Sequence, residues 1–427
     1  MSPANPAQTD PWRWSVFLVL AFGGLACVRL TIPSGPLFDE VHYLPAARAL
    51  LEDWGWINRE HPLLGKLFIA GGMTVFGDTP FGWRIAPLLA GMLALYAAMR
   101  GVWHGTRTRF ASLACGWLLA TGFALFVHAR IAMLDVFMVA FFLVALWHCA
   151  GAVRQPETGR WRLALAGVAL GLAMGSKWNV LVLAMLPGLA FLATRLAAGR
   201  RRLLTSRRGA PVPGIALWEA ALLLGALPLA TYWLTFLPAH FALSDPLPPG
   251  DFIALHTEIL RLQSSVIAVH PYQSQWPDWV LNLRAIWYLY EDIDGAQRGI
   301  MLIGNPLTML TGLPALGWAA WTAWRRRRWD TAAVVLLYTV GVGMWAVVDK
   351  PVQFYYHYFL PSCFLLAALA MALDALWQSG KRWQRALALA VLAGAGGVFA
   401  FWYPILSAAP LAGEQSFTTW AWFAGWR

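Results

Sequence analysis

Two carboxylates stand side by side in Pro36-Leu37-Phe38-Asp39-Glu40-Val41-His42-Tyr43, with a histidine two residues on. A carboxylate stripped of part of its hydration can act as a general base and take the proton of an attacking hydroxyl. Carboxylates also cap helix N-termini, and the residues that follow repeat apolar side chains at helical spacing, with Leu44, Ala47, Leu50 and Leu51 on one face. Asp39 and Glu40 are therefore read either as a cap or as catalytic acids at the head of a helix lying along the bilayer surface. Further on, Asn58-Arg59-Glu60-His61-Pro62-Leu63-Leu64-Gly65-Lys66 makes a turn from Pro and Gly, which places His61 and Lys66 to face an anionic group.

Cations recur at the ends of apolar runs. Arg84 lies in Gly82-Trp83-Arg84-Ile85, Arg130 and Asp135 bound a short turn, and Lys177 lies in Ser176-Lys177-Trp178-Asn179. An ionisable group at the edge of a membrane is costly unless it is paired, snorkels to the interface or is used. Gathered at one mouth, Arg84, Arg130 and Lys177 would suit the phosphate of a lipid substrate. The run Gln353-Phe354-Tyr355-Tyr356-His357-Tyr358 is either an interfacial aromatic belt or the lining of a sugar pocket. No glycine-rich phosphate loop, HExxH, GxSxG or CxxC occurs, so nucleotide, zinc-protease and serine-hydrolase chemistry have no support. Cys27, Cys115, Cys149 and Cys363 fall inside apolar stretches and read as small core residues, and no ligand cluster suggests a metal or other cofactor.

The elements that must position these groups follow from composition. Of 427 residues 59% are hydrophobic and only 12% charged, with a mean hydropathy of +0.55. Soluble domains average about 25% charged residues, so a soluble enzyme, a disordered chain and a fibrous repeat are excluded. Eleven apolar runs are long enough to be read as spans, near 14–32, 81–103, 110–129, 132–151, 162–175, 177–195, 215–237, 299–324, 330–348, 355–376 and 384–404. The fifth is short. No signal-peptide pattern precedes the first, which should stay as an anchor.

Five basic clusters follow the second, fourth, sixth, eighth and tenth spans, among them Arg200 to Arg202 and Arg325 to Arg328. All five fall on one side, which the positive-inside rule makes cytoplasmic, with the N-terminus inside and the C-terminus outside. The net charge of +11 is then a topology signal and does not point to nucleic acid. Two long loops, 33–80 and 238–298, face outward and hold most of the remaining polar residues. The expectation is an all-α polytopic protein forming one transmembrane domain over 1–427, with no separate soluble domain and a working site in its outward loops.

The order Asp39-Glu40, His61-Pro62-x-x-Gly65-Lys66, Arg84, Arg130-x-x-x-x-Asp135, Lys177-Trp178, His270-Pro271-Tyr272, Gly304-Asn305-Pro306 and Tyr356-His357-Tyr358-x-x-Pro361 resembles the protein O-mannosyltransferase family. The resemblance runs from about residue 36 to about 375. It implies a GT-C glycosyltransferase fold and transfer of mannose, with inversion, from a polyprenyl-phosphate donor to Ser or Thr of exported proteins. It implies Asp39 as the base and Glu40 as an orienting partner, with Arg130 and Lys177, then Arg84 and His357, on the donor phosphate. His61, Lys66, Asp135, His270, Tyr272, Asn305 and Tyr356 follow as other substrate-binding residues. The lipid-linked sugar is then a co-substrate, and no metal or other cofactor is implied.

Two departures stand out: Leu where the family typically has a second Pro after His61-Pro62, and a loop 238–298 too short for the lumenal insert of eukaryotic members. The shape is that of a bacterial member in the inner membrane, with its active site on the periplasmic or extracellular face. A glycolipid acceptor, as in aminoarabinose transfer to lipid A, is the alternative, and a lipid-linked-sugar transporter a third reading.

Overall fold

The computed structural model describes residues 8–52, 55–199, 202–242, 245–265, 268, 270–348 and 350–427. Arg200 and Arg201 of the third basic cluster lie outside them. Helix α1 (Trp12–Cys27) leads into the first long loop, which carries α2 (Glu40–Glu52) and the apolar α3 (Leu64–Phe76). Then follow α4 (Pro80–Thr106), α5 (Arg109–Ala120), the short α6 (Ala124–His128), α7 (Asp135–Arg154), α8 (Gly159–Ser176) and α9 (Leu181–Ala197). A π-turn joins α10 (Leu217–Ala221) to α11 (Leu227–Leu234). The second long loop holds α12 (Leu237–His240), α13 (Phe252–Ser264) and α14 (Trp276–Val280), followed by strands β1 (Ile286–Ile293) and β2 (Ala296–Leu302). Four long helices close the chain: α15 (Pro306–Arg326), α16 (Trp329–Val347), α17 (Phe359–Gln378) and α18 (Arg382–Leu406).

Every expected span coincides with one of these helices or a consecutive pair. Among the described residues, seven helical segments are long and apolar enough to cross a membrane. Local chemistry sets the ends. At the head of α4 the Thr79 hydroxyl accepts from the Gly82 N–H at 3.3 Å and Pro80 fills the first helical position, while Arg107 closes it at φ 59°. The short fifth span is α8, and its glycines explain how it packs. A Cβ on Gly167 would lie 2.0 Å from the Leu223 carbonyl oxygen, and one on Gly171 would lie 2.5 Å from Thr231 Cβ. Only glycine lets α8 and the α10–α11 rod approach this closely.

The β-hairpin is the departure from an all-α reading. The eighth span begins at Pro306 and not at 299, because 296–302 pairs antiparallel with 286–293 across Asp294 and Gly295. Both turn residues have positive φ, 51° and 74°, as a tight hairpin turn of matching twist requires. The chain after α18 folds over this hairpin: the Trp287 indole donates to the Trp426 carbonyl at 2.8 Å, and Ser34 donates to Asp294 from the first loop. On α2, Leu44, Ala47 and Leu50 are buried as expected, whereas Leu51 is exposed. Cys115 and Cys363 are core residues and Cys149 is half-buried, but Cys27 is exposed, a correction to its reading as core.

Candidate active site

Asp39 and Glu40 are adjacent in sequence and opposite in environment. Glu40 is fully buried against Arg84, with Arg84 Nε to Oε1 at 2.9 Å and a terminal nitrogen to Oε2 at 2.8 Å. The Leu37 and Ala132 N–H groups donate to the same carboxylate at 3.1 and 2.8 Å. Arg84 gives its other three N–H groups to the Leu30, Pro33 and Gly35 carbonyls. All five of its donors are occupied, so no arm is left for a phosphate. The pair instead pins the approach to α2 onto α4 and the α6–α7 turn.

Asp39 points the other way. Phe38 before it adopts φ 44°, a left-handed backbone that costs an L-residue about 1–2 kcal/mol. The Phe38 ring is held against Tyr288 at 4.5 Å, with His270, Phe354 and Tyr356 around it. The turned chain leaves Asp39 half-buried, accepting the Tyr43 hydroxyl at 3.3 Å one helical turn on. Burial pushes its carboxyl above the usual 3.8; the Lys177 ammonium draws it back and the Asp135 carboxylate pushes it up again.

Asp135 opens α7, and Lys177 ends α8 in an extended conformation (φ −160°, ψ 142°) that brings its ammonium to Asp135 Oδ2 at 2.6 Å. The same ammonium lies 4.7 Å from the centre of the Tyr356 ring, a cation–π contact. Asp135 Oδ1 and His61 Nδ1 are buried without partners among the described residues. Burial and the Lys177, Lys66 and Lys350 charges hold His61 well below the usual imidazole value, so its ring is neutral at pH 7. Tyr43 meets it edge-on at 5.8 Å.

The structure thus brings Asp39, Tyr43, His61, Asp135, Lys177, Tyr356 and His357 into one cluster of ring contacts and charge interactions, with His270 and Tyr272 behind Phe38. Four expected binding residues share another arrangement: most of their donors go to backbone carbonyls, although Arg130 Nε is buried without a partner among the described residues and Arg84 also holds Glu40. Besides Arg84, Arg130 gives its terminal nitrogens to the Ala26, Val28, Arg29 and Ser407 carbonyls. Lys66 sits inside its own loop on the Ile57, Asn58 and His61 carbonyls. Asn305 caps α15 through Leu307 N and donates to Thr121 and Ala395. Each ties elements together in this structure. Lys350 is the residue that sequence reasoning missed. Its ammonium lies 3.3 Å from His357 Nε2, and its signal was a lysine just ahead of the aromatic run at 353–361. Among the described residues no group of three or more His, Cys, Asp or Glu gathers as a metal site.

Residues 60–232 match the family described as dolichyl-phosphate-mannose-protein mannosyltransferase, and residues 249–426 match the C-terminal four TMM region of protein-O-mannosyltransferase. The chain belongs to the protein O-mannosyltransferase family. It is 29% identical to a polyprenol-phosphate-mannose–protein mannosyltransferase of Mycobacterium tuberculosis, over 93% of this chain and 88% of that protein. The fold of this mannosyltransferase family member superposes on the S. cerevisiae protein O-mannosyltransferase Pmt1-Pmt2 complex bound to the sugar donor. The TM-score is 0.84 at 14% identity, covering 98% of this chain and 93% of that one. The fold is therefore that of a GT-C glycosyltransferase, and the protein is a multi-pass membrane protein. A more limited match is to an undecaprenyl phosphate-alpha-4-amino-4-deoxy-L-arabinose arabinosyl transferase of Pseudomonas aeruginosa, 34% identical over 40% of this chain and 34% of that protein.

Proposed function

We infer that this enzyme moves mannose from a polyprenyl-phosphate-linked donor to Ser or Thr hydroxyls of exported proteins, with inversion, on the periplasmic or extracellular face of the cell membrane. One unit spanning 1–427 carries the reaction. The observation that carries the catalytic reading is a half-buried Asp39 with a raised carboxyl, placed beside two lysines by a saturated Glu40–Arg84 pair.

The acceptor hydroxyl attacks the anomeric carbon as its proton passes to Asp39. The new C–O bond forms on the face opposite the departing phosphate, and the C–O bond to that phosphate breaks with both electrons going to the phosphate oxygen. Proton removal by a positioned base is worth about 10²–10⁴-fold. A base with a raised pKa is better matched to a neutral working pH than an exposed aspartate. Lys177 faces the charge that builds on the leaving phosphate. Tyr356, His61, His270 and Tyr272 offer ring faces and polar edges to the sugar and acceptor. Glu40 and Arg84 serve as positioning residues. The activated donor makes a nucleotide site unnecessary.

The second reading keeps the chemistry and replaces the acceptor by a glycolipid, and the partial match to the arabinosyl transferase is what favours it. Radiolabelled polyprenyl-phosphate-mannose supplied to membranes containing the enzyme separates the two. Label that becomes soluble on protease treatment supports the protein acceptor. Label that resists protease and extracts into organic solvent overturns it in favour of the lipid.

A further inference from the structure

His357 is buried between two indoles, stacked on Trp279 with ring centres 5.7 Å apart and edge-on to Trp345 at 4.1 Å. Its Nδ1 lies 2.9 Å from the Phe354 carbonyl oxygen. The Phe354 backbone N–H also lies 3.0 Å from Nδ1, but the Lys350 ammonium at 3.3 Å from Nε2 can only donate, so it selects the neutral tautomer with the lone pair on Nε2 and the proton on Nδ1, directed at the Phe354 carbonyl. The next ring along, Tyr356, lies 4.5 Å from His357 and carries the Lys177 ammonium on its face. Lys177, Tyr356, His357 and Lys350 therefore form one continuous row beside Asp39.

The two ammonium groups differ. Lys177 is neutralised by Asp135, whereas among the described residues Lys350 has no carboxylate partner. Among the described residues this cation, held by an imidazole and with donors to spare, feels the Asp135 and Asp39 carboxylates only at a distance and has no anion in contact. The backbone around it is fixed: Lys350 N–H donates to Val348 O at 2.9 Å, the Gln353 side-chain amide donates to Lys350 O at 3.3 Å, and Gln353 O accepts from Ser274 N at 2.9 Å. The second long loop thus braces the segment that carries the lysine.

We propose that Lys350, positioned by His357, is the principal seat for the phosphate of the lipid donor, with the Lys177–Asp135 pair as its less charged neighbour. This rests on the reaction inferred above and names the residue that takes its leaving group. When the glycosidic bond breaks, a phosphodiester with one negative charge becomes a monoester that can carry two. Lys350 therefore gains attraction as the reaction proceeds, which lowers the barrier more than it tightens the ground state. Burial, with the repulsion of Lys177 behind it, holds the free Lys350 ammonium down to about 8, so the seat is charged at neutral pH and an incoming phosphate strengthens that charge. His357 acts through Lys350 and does not itself touch the phosphate.

The test is binding of undecaprenyl phosphate to purified, detergent-solubilised protein at pH 7, measured beside mannose transfer. Lys350→Met is expected to weaken binding about 10-fold or more, the size of a lost charged hydrogen bond. Lys350→Arg should keep binding within a few-fold of wild type. In transfer, Lys350→Met should lower kcat more than it raises KM for the donor. His357→Phe should weaken binding in the wild-type background and add nothing in the Lys350→Met background, a non-additivity that loss of packing alone does not produce. Wild-type affinity in a folded Lys350→Met protein overturns the proposal and leaves the inferred reaction standing. Lysine-dependent lipid phosphate binding in a protein that transfers no mannose keeps the seat and overturns the reaction. A wild-type protein that does not bind the lipid phosphate overturns the seat.

Discussion

Asp39 and Glu40 differ by one position in the chain and by every physical measure of environment. Glu40 accepts from two backbone N–H groups and a bidentate guanidinium, so its charge is compensated within the fold. Asp39 has one long hydrogen bond, and burial outweighs the pull of Lys177, so its charge is only partly compensated. The pH dependence follows. Transfer needs Asp39 deprotonated, and its carboxyl is raised, so kcat/KM is expected to fall on the acid side at a pH above 3.8. A pH–rate profile checks this, and an acid limb at or below the ordinary aspartate value contradicts it. The paired acids were legible in the sequence as chemistry. Their division of labour was not, because it depends on Arg84, which arrives from another helix 44 residues away.

The same limit explains the other cations at the level of elements. Arg84, Arg130 and Lys66 look like ligands in sequence, but their partners are carbonyls left over where helices end and loops turn, and a sequence does not show where carbonyls converge. Lys350 was passed over for the opposite reason: its place just ahead of the aromatic run is a weak mark, and its importance comes from His357 after the turn. The helical spans were readable because hydropathy alone identifies them. The hairpin was obscured because its second strand runs apolar into α15, although Asp294-Gly295 after an aromatic-rich stretch was a turn signal. The first long loop makes the prediction proper to this scale. Glu40→Gln breaks the anchor that holds the loop on α4 and leaves Arg84 buried without a full counter-charge. Loss of a buried partner costs about 3–5 kcal/mol. The expected result is a lower Tm together with lost transfer, read by thermal unfolding in detergent, and an unchanged Tm would contradict the anchoring role.

At the scale of the molecule, the scarce charges are sorted by function. Most basic residues form clusters between spans, while the chain segments at the other helix ends bring Asp39, His61, Lys177 and Lys350 within electrostatic reach of one another. A helical scaffold that buries Arg84 and Arg130 as braces can hold a half-buried carboxylate at a raised pKa, a state unfavourable for folding. The sign can be stated. A folded-state pKa above the unfolded 3.8 stabilises the fold while the proton is bound, and that stabilisation is lost as pH rises through the raised value. At neutral pH the ionised Asp39 therefore opposes folding, as groups kept for catalysis often do. Replacing it with the neutral isostere removes that opposition along with the base. The measurement that tests the account most directly is Asp39→Asn, assayed for transfer from polyprenyl-phosphate-mannose and for Tm at pH 7. The account predicts a Tm equal to or above wild type with transfer reduced by about 10²-fold or more. Transfer near the wild-type rate in that folded variant would contradict it.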